Sequence, residues 1–166
     1  KTYSEYKPRF EDEKFLIIQS EEISDGFEGK PIHINATNLK NLVTPQGGSS
    51  VTEVMQRNVD AVLRQRKETG MPMFPHINHP NFGYAVTAED LMMIQGEKFF
   101  EVYNGHPGVK HLGDDHHPPV ERLWDIANTL RINMLAAPPL YGFAPATAAP
   151  LVCDRGPHLC DGGLRG

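Results

Sequence analysis

Hydrophobic and polar positions along this chain fall into short blocks whose period changes between two and about 3.6. The apolar run at 14–19, KFLIIQ, reads as a short buried strand, and the acidic pair Glu21-Glu22 follows it at once. Asp25-Gly26 and Glu28-Gly29 are turn signals. Residues 31–35, PIHIN, predict a second strand with one histidine between isoleucines, and the Pro- and Gly-bearing stretch 38–49 reads as a loop.

A helix is announced at Ser50. With Glu53 it makes an S-x-x-E box, in which each side chain satisfies an N–H at the helix start. Val51, Val54, Met55, Val59, Val62 and Leu63 then form one apolar stripe, Arg57, Arg64 and Lys67 take the water side, and Gly70 ends the pattern. Residues 71–75 predict the next strand despite their prolines. Thr87 with Asp90 opens a helix over 88–95, and Gly96 stops it. A strand over 99–103 follows from its aromatic and β-branched content, and Pro119 opens a helix with Val120, Leu123, Trp124, Ala127 and Leu130 on one face. Residues 140–143 are a candidate last strand. Strand and helix alternate, so the expected fold class is α/β with mostly parallel strands. From Pro145 onward periodicity stops, and residues 145–166 read as an irregular tail.

Composition narrows the function without naming it. The 166 residues suffice for one domain with a real core. No run reaches the ~18 apolar residues of a membrane helix. A net charge of −5, with Lys and Arg scattered, argues against a nucleic-acid partner. Cys153 and Cys160 do not make a disulfide framework. The absence of an initiator Met at Lys1 leaves the compartment open.

In parallel α/β folds, functional side chains gather beyond the C-terminal ends of strands. Read that way, Glu22 follows the first strand, His33 lies in the second, His76 and His79 follow the third and His106 follows the fourth. Imidazole and carboxylate together suit zinc, manganese or iron. Each residue also has a plainer reading. His33 fits a hydrogen-bonded core histidine, His79 before Pro80 a loop cap, and Glu21-Glu22 a solvated pair. Asp114, Asp115, His116 and His117 read first as a polar loop before a helix, and Met92, Met93 and Trp124 as core. Cys153, His158 and Cys160 do not have a zinc-site spacing.

In order, the segments EEIS…PIHIN…FPHINHPNF…FFEVYNGHPG…ERLWD resemble the PHP (polymerase and histidinol phosphatase) superfamily of metal-dependent phosphoesterases, over roughly residues 10–144. The resemblance implies a TIM-like, distorted (β/α) barrel, of which 1–144 would be part. It implies Glu22, His33 and His79 as metal ligands, with His76 and His106 near the substrate, and His106 orienting it or protonating its leaving oxygen. Two or three divalent ions (Zn, Mn or Fe) and a small-molecule phosphoester substrate come with it.

The family's opening H-x-H and later D-H belong upstream of Lys1, and its closing D-x-H belongs where Pro145-Ala146-Thr147-Ala148 stands. The expectation is therefore a partial domain with a foreign or out-of-frame ending, inactive alone. The alternative is a non-catalytic binding module that kept the barrel and lost its metals; a small structural protein with surface histidines ranks last.

Overall fold

The computed structural model describes residues 2–136 and 152–153. Helix α1 (Tyr3–Phe10) precedes a hairpin of β1 (Ser20–Phe27) and β2 (Lys30–Thr37). Then come α2 (Val51–Thr69), β3 (Phe74–Ile77), α3 (Ala88–Met93), β4 (Phe99–Phe100), α4 (Val120–Ala136) and β5 (Val152–Cys153). The strands form one mixed sheet in the order β1-β2-β3-β4-β5. The chain is thus mixed α/β, and the sheet is open among the described residues.

The expectation of mostly parallel strands is corrected. β1 pairs antiparallel with β2 over eight positions and β2 antiparallel with β3, while only the short β3–β4 and β4–β5 pairings are parallel. For the β1–β2 pair, the longest in the sheet, the cause is the turn at Glu28-Gly29. Both residues have positive φ (48° and 80°), the conformation of a two-residue hairpin turn, which reverses the chain with no room for a crossover helix.

The first expected strand is also displaced. Residues 14–19 are outside the sheet, with Phe15, Leu16 and Ile18 exposed. Carboxylates hold their backbone instead: Asp12 Oδ1 accepts from Lys14 and Phe15 N–H (2.7 and 2.9 Å), and Glu11 Oε2 accepts from Ile17 N–H. Amides bonded this way are not offered to a strand ladder. The ladder starts at Ser20, so Glu22 lies inside β1 and not beyond a strand.

The other elements follow their local chemistry. Ser50 accepts from Glu53 N–H at the start of α2, and Gly70, at φ 69°, closes it in the left-handed conformation that costs a Cβ-free residue least. The valine stripe and Met55 are buried against the sheet, Leu63 packs at the margin, and Arg57, Arg64 and Lys67 are exposed, as the pattern predicts. Thr87 and Asp90 cap α3 reciprocally. The strand expected over 99–103 shortens to Phe99–Phe100. Trp124 packs partly against the core, while Met93 is 48% exposed and does not belong to it. The candidate strand 140–143 lies outside the described residues, and Val152–Cys153, within the expected tail, pairs with β4.

Strand alternation separates the sheet into two faces. Ile32, Ile34 and Ala36 of β2, with Ile23 of β1, Ile77 of β3 and Phe100 of β4, are buried on the side α2 covers. The intervening residues Glu22, His33, Asn35 and His76 belong to the opposite face.

Candidate metal centre

Antiparallel register assembles the site. Glu22 lies opposite Asn35, Asn35 lies opposite His76, and His33 is the diagonal neighbour of Glu22 across the hairpin. Cβ atoms of such diagonal partners are close enough for long side chains to meet. Just beyond β3, Asn78 N–H donates to His33 C=O at 3.0 Å, which carries the chain one position further along β2 before it turns at His79-Pro80. Phe82 N–H then donates to His79 C=O (2.8 Å), and the Phe82 ring packs against both imidazoles, 5.8 Å from His33 and 5.1 Å from His79.

This local fold brings three donor atoms to one point. Glu22 Oε1 is 3.2 Å from His33 Nδ1 and 3.1 Å from His79 Nε2, and the two ring nitrogens are 3.3 Å apart. All three atoms lie within 4.8 Å of one another, the one such group of three or more His, Cys, Asp and Glu side chains among the described residues. His33 and His79 are mostly covered, while 41% of the Glu22 side chain is open to solvent. Burial alone would raise the Glu22 pKa. The hydrogen bond from Asn78 and the neighbouring His33 and His79 outweigh it and hold the carboxyl below its ordinary range. An ionised carboxylate facing two imidazole nitrogens is a donor set suited to a divalent first-row cation.

Two amides lie behind the carboxylate. Asn78 Nδ2 donates to Glu22 Oε1 (2.5 Å) and to Asn35 Oδ1 (3.3 Å), and Asn35 Nδ2 meets His76 Nε2 at 2.9 Å. In this network two amides stand between His76 and the cluster. Neither asparagine stands out in the sequence, although Asn78 stands beside His79 and Asn35 ends the histidine strand.

His106 lies on a separate loop. His79 N–H donates to Glu101 Oε2 (3.1 Å), Asn104 Nδ2 donates to both Glu101 oxygens, and Asn104 Oδ1 accepts from His106 N–H (2.9 Å). His106 Nδ1 accepts from Gly108 N–H at 3.1 Å, which leaves Nε2 as the protonated nitrogen of the neutral ring. His106 borders an open pocket of about 680 Å³ with Tyr84, Tyr103, Lys110 and His111. Of the five site residues expected, the structure therefore gathers Glu22, His33 and His79, sets His76 behind them and puts His106 on the adjoining loop.

Asp114 and His117 pair with each other (2.7 Å), and the His117 ring stacks on Tyr84 at 3.7 Å. That accounts for them as the polar loop the sequence suggested. No protein-family model, curated protein or solved structure matches this chain. No helix of the described residues is long and apolar enough to cross a membrane.

Proposed function

We propose that this chain is part of a metal-dependent hydrolase of the PHP superfamily, built on a distorted (β/α) barrel and acting on phosphoesters of small molecules. The observation that carries the reading is the convergence of Glu22 Oε1, His33 Nδ1 and His79 Nε2, three residues drawn from β1, β2 and the loop after β3. In this reading Glu22 contributes the negative charge, and His33 and His79 contribute neutral imidazole nitrogens from fixed backbone positions. Glu22, His33 and His79 would hold a divalent ion, and that ion would supply Lewis-acid charge and lower the pKa of a water at the site. His106, with its proton on Nε2, is a donor for a phosphoryl or leaving oxygen. Its backbone N–H is tied to that of His79 through Asn104 and Glu101, which links the two loops.

A second reading is a binding module on the same scaffold without metal. The observation that favours it is that Glu22, His33 and His79 already satisfy one another by hydrogen bonding. Titration of the chain with Co²⁺ or Zn²⁺, and turnover of p-nitrophenyl phosphate by the protein carrying its complete ligand set, separate the two. The hydrolase reading expects one tight ion at this cluster, lost in His79→Ala together with turnover. Binding or turnover unchanged in His79→Ala refutes it.

A further inference from the structure

Glu22 is the least constrained member of the cluster. It projects from β1, which pairs on one side only among the described residues, and 41% of its side chain is solvent-exposed. The partners that meet its carboxylate come from other elements: Asn78, His33 and His79. We propose that Asn78 is a positioning residue that aims the Glu22 carboxylate, and that Asn35 and His76 fix the direction in which Asn78 presents its amide. The inference rests on the cation reading of the cluster for its consequence, though not for its geometry.

The argument is one of donors and acceptors. The Asn78 amide nitrogen carries two protons and faces two acceptors, Glu22 Oε1 and Asn35 Oδ1. Rotating that amide by half a turn would aim its oxygen at both of them and turn two hydrogen bonds into two repulsions. The Asn35 amide is held in the same sense, because its oxygen accepts from Asn78 while its nitrogen donates to His76 Nε2. The neutral His76 ring that accepts at Nε2 keeps its proton on Nδ1. His76 therefore acts through Asn35 and Asn78, and its place in the Glu22–Asn35–His76 row supplies the reason for a histidine there.

The row is stiff. Asn78 is 8% exposed, so water does not readily replace its amide. Its own N–H is bonded to His33 C=O, which ties the clamp to a ligand strand. Outer hydrogen bonds of this kind commonly change metal affinity by about 10–100-fold when removed.

The test uses the full chain as Asn78→Leu, which keeps the volume and removes the donors, and as Asn35→Leu, which breaks the next link. Dispersion of the amide NMR spectrum reports folding. Three-bond couplings of the Glu22 methylenes in metal-free protein report its rotamer, and visible absorption reports Co²⁺ binding. The expected result is one Glu22 rotamer in the parent chain, averaged rotamers in Asn78→Leu with roughly 10-fold or greater loss of Co²⁺ affinity, and a smaller loss in Asn35→Leu. A single Glu22 rotamer retained in Asn78→Leu, or unchanged Co²⁺ affinity, overturns the proposal. If the parent chain binds no Co²⁺ yet Glu22 loses its rotamer in Asn78→Leu, the clamp stands and the cation reading falls. Should Asn78→Leu not fold, Asn35→Leu decides, and unaltered Glu22 couplings there overturn the clamp.

Discussion

The two faces of one sheet are built from the same strands and do opposite work. Toward α2, Ile23, Ile34, Ile77 and Phe100 make an unbroken apolar row, each 2% exposed or less. One residue along each of the first three strands, Glu22, Asn35 and His76 make a polar row linked by amides and left partly open. The strand period of two makes this possible: adjacent residues belong to different environments, so stability and chemistry can be separated by one position. The apolar row lowers the free energy of the fold by removing area from water, whereas the polar row is held in geometry by hydrogen bonds that contribute little net.

The sharpest way to break the comparison is on the apolar side. Phe100→Ala removes a fully buried ring from β4 and should cost about 3–5 kcal/mol, the range for emptying an aromatic core site. Urea unfolding followed by far-UV circular dichroism measures it. Glu22, His33 and His79 lie on the other face, so in the proposed reading the Co²⁺ affinity of the molecules that remain folded should hardly change. A loss under about 1 kcal/mol would mean that burial of β4 does not stabilise the fold.

A smaller effect comes from a buried carboxyl that belongs to neither row. Glu97 is 2% exposed, and burial raises its pKa to about 8, against the opposing influence of the Phe99 N–H and the charge of Arg131. Arg131 is itself 1% exposed, and its guanidinium donates to the carbonyls of Leu91 (2.6 Å) and Ile94 (3.0 Å) at the end of α3. The folded chain keeps a proton on Glu97 that the unfolded chain releases near pH 4.5, so the contribution is fully present below that pH. It falls as pH rises through the window up to about 8. At ~1.4 kcal/mol per unit the loss is on the order of a few kcal/mol. Glu97→Gln should flatten the decline of unfolding free energy between pH 5 and 8. An equally steep decline in that variant places the proton elsewhere.

Parts of this structure were legible in the sequence for definite reasons. Ser50, Glu53, the valine stripe and Gly70 all specify the same helix, so α2 could be read to its ends. Strand β2 shows strict alternation, with Ile32, Ile34 and Ala36 buried between half-buried Pro31, His33, Asn35 and Thr37. Strand β1 could not be read: SEEISDGF contains one buried residue, Ile23, and its pairing comes from the turn and from β2 rather than from its own pattern. The run at 14–19 misled in the opposite way, because Glu11 and Asp12 divert its amides. Three ligand candidates could be named from the order of motifs. Asn35 and Asn78 carried no such signal, since the role of an amide depends on what lies across the sheet from it.

The finest test lies at His33, where the two faces are one residue apart. His33 sits between buried Ile32 and Ile34, and a core histidine was the plainer reading of that sequence. Its side chain is 18% exposed and meets Glu22 and His79 on the polar face, with Phe82 as its apolar neighbour. His33→Ala should therefore cost little stability, within about 1 kcal/mol, since partly exposed hydrogen bonds contribute about that much. In the proposed reading it should also abolish tight Co²⁺ binding, because one of three donors is gone. Its neighbour Ile34→Ala should do the reverse, costing about 2–5 kcal/mol with the donor set intact. If His33→Ala instead destabilises as much as Ile34→Ala, His33 is core, and the division of the sheet into a supporting face and a chemical face fails at the position where it is drawn most finely.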